Sequence, residues 1–259
     1  MKVATFNING VKARIDGLTT WLRESAPDVA LLQEIKSVDE AFPREAIEDL
    51  GYNVETHGQK GFNGVAILSK LPFEDVSRGL PGDDADEQAR WIEATVVGET
   101  AVRLCGLYLP NGNPAPGPKY DYKLGWMDRL RARAEALLAD EMPALMAGDY
   151  NVIPQPEDAA RPDAWREDAL FRLETRDAFR RVVNLGFTDA FRARTAGPGH
   201  YSFWDYQANA FDRNDGIRID HVLMTPQCAD LMQDAWIERD LRAREKPSDH
   251  VPVWVELAA

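Results

Sequence analysis

Short apolar runs alternate with amphipathic stretches from one end of the chain to the other, and run after run ends in a carboxylate, an amide or an imidazole. Met1 to Phe6 predicts a strand. Val29 to Leu32 predicts a short strand buried on both faces, because no polar position interrupts it. Further strands are expected at Val65 to Leu68, Trp91 to Val97, Val102 to Leu109 and Ala144 to Ala147, and then at Ser202 to Tyr206, Ile217 to Met224 and Val251 to Leu257. Ile15, Leu18 and Leu22 fall on one face of a helix over Ile15 to Ser25. Other helices are expected at Pro43 to Leu50, stopped by Gly51, at Tyr120 to Ala139, and at Glu174 to Leu185, stopped by Gly186. The breaker-rich Asn111-Gly112-Asn113-Pro114-Ala115-Pro116-Gly117-Pro118 reads as a loop. With no repeat, low-complexity tract or linker, the alternation predicts an α/β protein with two sheets and outer helices, as a single domain over residues 1–259.

Composition narrows this picture only slightly. A chain of 259 residues that is 44% hydrophobic can bury a sizeable core. No apolar run approaches the roughly 20 residues a membrane helix needs. The start runs straight into the first strand pattern, so no secretion signal is expected. Two unpatterned cysteines, Cys105 in an apolar run and Cys228 near a helix start, suggest a reducing cytoplasm rather than a disulfide framework. The net charge of −13 argues against coating nucleic acid by bulk electrostatics. It leaves open an enzyme that touches phosphates locally, since a bound divalent cation adds positive charge where the substrate sits.

The chemistry concentrates where strands end. Glu34 closes Val29-Ala30-Leu31-Leu32-Gln33 and is either a strand-capping surface acid or a metal ligand. Gly148-Asp149-Tyr150-Asn151 is either a turn or a site in which Asp149 orients or deprotonates a water and the Asn151 amide holds a ligand. In Pro247-Ser248-Asp249-His250, His250 is one of only 4 histidines, and it is the candidate imidazole for a scissile phosphate. Such an imidazole needs a partner on its other ring nitrogen, and Asp220, after Ile217-Arg218-Ile219, is placed to supply it. Asn7 and Tyr108 end two further strands, where a cap and an interface aromatic are the plain alternatives. No Walker-type loop, CxxC site or Gly-x-Ser-x-Gly elbow occurs.

Taken in order, Phe6-Asn7-Ile8-Asn9-Gly10, Leu32-Gln33-Glu34, Gly148-Asp149-Tyr150-Asn151, Arg218-Ile219-Asp220 and Ser248-Asp249-His250 resemble the endonuclease/exonuclease/phosphatase superfamily, from residue 1 to about residue 257. Val11-Lys12-Ala13-Arg14, His57 to Ala66, Tyr108-Leu109-Pro110-Asn111-Gly112 and Ser202-Phe203-Trp204-Asp205-Tyr206 narrow the likeness to exonuclease III and the abasic-site endonucleases. The resemblance implies a DNase I-like four-layer α/β sandwich, two mixed sheets flanked by helices. It implies a Mg²⁺-dependent phosphodiesterase, with Mn²⁺ as a substitute, that cuts duplex DNA 5′ to abasic sites, degrades it as a 3′–5′ exonuclease and trims damaged 3′ ends, as a monomer.

Carried over by residue, the resemblance makes Glu34 the main metal ligand and places Asp249 close to the metal. Asp149 handles the attacking water with Asn151 beside it, and His250 contacts the phosphate and pairs with Asp220. Asn7 and Tyr108 position the phosphate and the metal shell. Phe203, Ile217 and Ile219, with Trp204 beside them, match a pocket for an abasic sugar. Asn111 and Asn214 match DNA-backbone contacts, and Arg218 is expected in the DNA-binding set. Lys12, Arg14, Lys36, Lys60, Arg90, Lys119, Arg213 and Arg218 would form a basic face on an acidic chain. Some relatives carry Trp at the position of Ile217 and Asp at that of Asn9. The competing readings are a lipid or inositol phosphoesterase of the same superfamily, against which the loops at 9–14, 57–64 and 202–206 argue, and a non-catalytic RNA-binding regulator, against which the intact motif set argues.

Overall fold

The computed structural model describes residues 1–259. Its order is β1 (Lys2–Asn7), α1 (Ile15–Glu24), β2 (Val29–Gln33), α2 (Arg44–Glu48), β3 (Asn53–His57), β4 (Val65–Ser69), β5 (Phe73–Arg78), β6 (Trp91–Val97) and β7 (Ala101–Tyr108). There follow α3 (Pro118–Ala139), β8 (Ala144–Asp149), α4 (Leu173–Val183), β9 (Thr188–Asp189), α5 (Ala190–Arg194), β10 (Asp220–Met224), α6 (Pro226–Ala229), β11 (Met232–Ile237) and β12 (Val253–Leu257). The strands form two six-stranded sheets, ordered β11-β12-β1-β2-β4-β3 and β5-β6-β7-β8-β10-β9. In each sheet one parallel pair, β1–β2 or β7–β8, sits among antiparallel neighbours, so both sheets are mixed. The parallel pairs are joined through α1 and α3, the crossover that parallel strands require.

Residue alternation explains the layering. Val29 and Leu31 of β2 face the second sheet, whereas Ala30 and Leu32 face α1. The strand is therefore apolar without interruption, because both faces are covered. Between the sheets, Val3, Val29, Leu31, Val65 and Ile67 meet Ile92, Leu104, Leu145, Ala147 and Val222. Trp21 and Leu22 of α1 close the outer face of the first sheet, and Trp126, Met127, Leu130 and Leu137 of α3 close that of the second. The result is the expected sequence of four layers. Each fully buried Leu or Ile in it contributes about 1.5–3 kcal/mol relative to exposure.

Three expected strands differ. Ser202 to Tyr206 is a loop with isolated bridges from Phe203 to Ile217 and to His250. The Ser202 hydroxyl there accepts the backbone N–H groups of Ile219 and Asp220, which diverts pairing into side-chain bonds. The strand expected at Ile217 to Met224 begins only at Asp220, and the one expected at Val251 to Leu257 only at Val253. In the first case the backbone of Arg218 leaves the ladder to donate to the Asp158 carbonyl. The edge strands β3, β5, β9 and β11 were not expected, because their polar and apolar residues mix, as edge strands tolerate.

Candidate active site

Sheet register assembles the site. Tyr108 on β7 and Asp220 on β10 are both Cα partners of Asp149 on β8, so three site residues form one row across the second sheet. On the facing sheet, Asn7 on β1 is partnered with Gln33 on β2, and Glu34 follows directly. Asn7 continues the inter-sheet face of Val3 and Thr5, and Asp149 continues that of Leu145 and Ala147. The polar cluster is thus the open end of the inter-sheet layer. Close approach at this end needs Gly148, where any Cβ would collide with the Leu107 carbonyl oxygen. Asn9, Glu34, Lys36 and Asn151 take left-handed backbone with φ of 48°, 50°, 51° and 48°. For Glu and Lys this costs about 1–3 kcal/mol, strain that clusters at functional sites.

The side chains interlock. The Asn7 amide donates to Glu34 Oε1 and to Asp149 Oδ2, each at 3.0 Å. Tyr108 donates its hydroxyl to Glu34 Oε1 at 2.9 Å, and Lys36 pairs with Glu34 Oε2 at 2.8 Å. Burial alone would raise the Glu34 carboxyl, but the Asn7 amide and the Lys36 ammonium outweigh it and hold the group below its ordinary range. Lys36 also donates to Asn9 Oδ1 at 2.6 Å, and Asn9 donates onward to Asp249 at 3.0 Å. The Asn151 backbone N–H donates to Asp149 at 2.8 Å, and its side-chain amide donates to the Leu109 carbonyl at 2.9 Å.

His250 is buried, with Nδ1 2.8 Å from Asp220 Oδ2 and Nε2 3.7 Å from Asp149 Oδ2. Burial works to lower its pKa, yet the carboxylates of Asp220 and Asp149 prevail and push it up. Burial, together with the charges of Asp220 and Glu34, pushes the Asp149 carboxyl up in turn, although His250 opposes the shift. The ligand atoms of Asp149, Asp220 and His250 lie within 4.8 Å of one another, a group able to hold a metal ion. Because Nδ1 of His250 is already committed to Asp220, carboxylates on the Glu34 side are the better cation donors.

The other expected residues fall around this centre. Phe203 is half-buried, its ring centroid 5.0 Å from that of His250, and it bridges to Ile217. Ile217 and Ile219 are buried in the small cluster below it. Trp204 does not face a pocket. Its ring is fully buried beside Tyr201 and Phe211, and its indole N–H donates to Asn214 at 3.2 Å. Asn214 is therefore engaged inside its own loop, with its amide also donating to the Gly199 carbonyl. Asn111 is exposed and donates to Asn151 Oδ1 at 3.3 Å.

Arg218 is a correction. It was expected among surface cations, yet it is 1% exposed and pairs with Asp158 at 2.7 Å and Asp189 at 2.9 Å. A guanidinium surrounded by two carboxylates and the Phe191 ring has nothing left for a phosphate. Of the other expected cations, Lys12, Lys60, Lys119 and Arg213 are exposed, and Arg14, Lys36 and Arg90 are half-buried.

Sequence reading missed Lys123. It is fully buried on α3 and donates to the carbonyls of Asn111 at 3.0 Å and Asn151 at 2.6 Å, tying two site loops together. Burial lowers its pKa to about 7 against the pull of Asp149 and Asp168. The available signal was its place on the core-facing stripe of Tyr120, Trp126, Met127 and Leu130.

Two mixed sheets with carboxylate, amide and imidazole groups gathered at one end of their shared core define a hydrolytic nuclease of the sandwich class. The chain belongs to the Endonuclease/Exonuclease/phosphatase family, whose sequence model matches residues 4–250. It is 38% identical to exodeoxyribonuclease III of Haemophilus influenzae, over 99% of either chain. Among solved structures, an AP endonuclease from Archaeoglobus fulgidus superposes with a TM-score of 0.95 at 35% identity, covering both chains in full. The 3′ phosphatase NExo from Neisseria, bound to a product DNA hairpin, gives 0.95 at 34% identity, again over both full chains.

Proposed function

We propose that this chain is a Mg²⁺-dependent DNA-repair phosphodiesterase that cleaves the backbone of duplex DNA 5′ to abasic sites, acts as a 3′–5′ exonuclease and trims damaged 3′ ends. The observation that carries the reading is the Asp220–His250–Asp149 array lying beside the Glu34–Asn7–Tyr108 cluster at the open end of the inter-sheet core. Likeness to exodeoxyribonuclease III and to a phosphatase bound to a DNA hairpin supports the substrate class.

Each residue has a role in this reading. Asp220 fixes the His250 ring and its charge, leaving Nε2 to donate to a phosphoryl oxygen. Asp149 accepts the proton of the attacking water, a role that suits a carboxyl raised toward neutrality. Asn7 holds Glu34 and Asp149 at a fixed separation, and the Tyr108 hydroxyl orients Glu34. The donors fit a hard cation: Glu34, Asp149 and Asp249 offer carboxylate oxygens, Asn7 and Asn151 amide oxygens, and no thiolate is near. When bound there, Mg²⁺ or Mn²⁺ would neutralise charge developing on the phosphate.

Phe203, Ile217 and Ile219 give the apolar side against which a base-free sugar rests. Asn111 meets the backbone, while Asn214 and Trp204 act by shaping the loop beneath. The chain works as one domain and as a monomer. In this reading it works in the cytoplasm on nucleoid DNA, where its two free, buried cysteines would stay reduced. No helix is long and apolar enough to cross a membrane.

The test is cleavage of a labelled duplex carrying one abasic analogue, with Mg²⁺ and with excess chelator, reading both product ends and running an inositol phosphate in parallel. Mg²⁺-dependent incision 5′ to the lesion is expected. Full activity in chelator would overturn the metal assignment, and hydrolysis of the inositol phosphate alone would overturn the substrate class.

A further inference from the structure

The row of site residues across the second sheet has a fourth member. Asp220, Asp149 and Tyr108 are register partners in turn. The Tyr108 backbone N–H donates to the Arg90 carbonyl at 2.9 Å, which sets Arg90 directly opposite Tyr108, immediately before β6. Alternation places both on the inter-sheet side, Arg90 after Val96, Ala94 and Ile92, and Tyr108 after Leu104. Cross-strand neighbours of this kind are close enough for their side chains to interact. The Arg90 guanidinium lies 4.9 Å from the Tyr108 ring centroid, within cation–π range, and its Nη1 donates to the Tyr108 carbonyl at 3.1 Å.

The guanidinium is itself braced. Its Nε donates to Gln88 Oε1 at 2.7 Å, and the Gln88 backbone N–H donates to Asp86 Oδ1 at 3.1 Å. Asp86 in turn accepts the Tyr122 hydroxyl at 2.9 Å and pairs with Arg129, both on α3. A line of bonds therefore runs from α3 to Arg90. It continues through the Tyr108 ring to the hydroxyl that donates to Glu34 Oε1 at 2.9 Å. A hydroxyl at the end of a tyrosine ring is aimed only as well as the ring is held, and a misplacement of about 1 Å in a site can cost roughly 10²-fold in rate. A cation serving the DNA backbone needs none of these bonds, yet two of the three guanidinium nitrogens are engaged in them.

We propose that Arg90 is a positioning residue for phosphodiester cleavage, its guanidinium holding the Tyr108 ring so that the hydroxyl stays on Glu34. The proposal rests on the nuclease reading above. Arg90 touches no reacting atom in it and acts through Tyr108.

The test is a double-mutant cycle on the full chain, with Mg²⁺ and a duplex carrying one abasic analogue. Arg90→Met keeps a long side chain and removes its charge and N–H groups. It should lower kcat by about tenfold or more with KM nearly unchanged. Tyr108→Phe should lower kcat too. Adding Arg90→Met to it should cost less than about twofold further, because the hydroxyl that Arg90 aims is gone. Gln88→Leu, which leaves Arg90 in place but frees its Nε, should give a smaller loss that also disappears in the Tyr108→Phe background, and it carries the cycle if Arg90→Met does not fold. Losses that multiply in the double variant overturn the proposal, as does an unchanged kcat in Arg90→Met. So does a raised KM with a salt slope shallower by about 0.9, which would make Arg90 a phosphate contact. The NMR signal of the Tyr108 ring, identified by its loss in Tyr108→Phe, reads the contact without activity. It should move in folded Arg90→Met, and a signal that stays in place also overturns the proposal. If the wild type cuts no DNA, the nuclease reading fails instead, and the ring signal still decides whether Arg90 holds Tyr108.

Discussion

Acid should unfold this protein through a histidine that takes no part in catalysis. His221 is fully buried, with Nδ1 3.0 Å from Arg218 Nη1 and Nε2 2.9 Å from the Val152 carbonyl oxygen. Arg218 can only donate, so Nδ1 accepts and Nε2 carries the proton. The ring is neutral and has no room for a second proton, because that hydrogen would point at a guanidinium. Burial first, and then Arg218, lower its pKa from 6.5 to about 4. The unfolded chain therefore binds a proton that the folded one refuses. Stability is full above about pH 6.5 and is lost as pH falls toward 4. A shift of about 2.5 units corresponds to roughly 3 kcal/mol in total, of which roughly 2 kcal/mol is lost by about pH 4.5. That is a large share of the 5–15 kcal/mol a domain of this kind has. Urea unfolding at pH 7 and at about pH 4.5 reads it, comparing wild type with His221→Gln, which keeps a donor for Val152 and does not titrate. Carboxylates such as Asp158 titrate in both proteins and cancel. The variant should start less stable and lose roughly 2 kcal/mol less over the interval. Equal losses would refute the assignment.

The catalytic predictions follow from the same geometry. Asp220→Asn keeps an acceptor for His250 Nδ1 but removes the charge, so kcat should fall by about 10²–10⁴-fold with little change in KM, and a fall of less than about threefold would remove Asp220 from the mechanism. Glu34→Gln should raise the Mg²⁺ concentration needed for half-maximal cleavage while leaving the far-UV circular dichroism unchanged, and an unaltered metal titration would exclude Glu34 as a ligand. Arg218→Met leaves Asp158 and Asp189 short of a partner and should cost about 3 kcal/mol or more in urea unfolding, whereas a surface cation would cost almost nothing. With a net charge of −13, DNA binding should rest on few phosphate contacts, so log affinity against log salt should have a shallow slope at about 0.9 per contact, and a slope implying about ten contacts would contradict it.

The clustering of the candidate site residues was more legible in the sequence than their surroundings were. Asn7, Glu34, Tyr108, Asp149, Asp220 and His250 all interrupt or follow apolar strand patterns, and a polar residue at the end of a buried strand stands out in one dimension. Arg218 was misplaced for the opposite reason. A charged residue between isoleucines looks like an exposed position in an alternating strand, and nothing local announces that Asp158 and Asp189, 60 and 29 residues away, will enclose it. Lys123 was hidden in the same way, by a helix long enough that one lysine on its buried stripe passes for a solvated charge. Trp204 looked like a pocket residue because it adjoins Phe203, but consecutive side chains of extended backbone point to opposite sides, and its indole turns inward to Asn214. The edge strands β3, β5 and β11 escaped because half-exposed positions carry weak pattern.

These successes and failures share one physical cause. The inter-sheet face grades from apolar to polar along each strand: Val3, Thr5, Asn7 on β1, Leu145, Ala147, Asp149 on β8, and Met224, Val222, Asp220 read backwards along β10. Alternation with period two makes that gradient visible strand by strand. Parallel and antiparallel registers then bring the polar ends of all three strands to one edge, whichever way each strand runs. A carboxylate at that edge has an apolar layer on one side and solvent on the other, which is why burial dominates the shift of Asp149 while Glu34, held by Asn7 and Lys36, stays ionised. Two acids on facing sheets, both bonded by the Asn7 amide, thereby acquire different proton affinities. Side chains that turn away from this face, as Arg218 and Trp204 do, leave no trace in the period, and only the folded chain shows where they go.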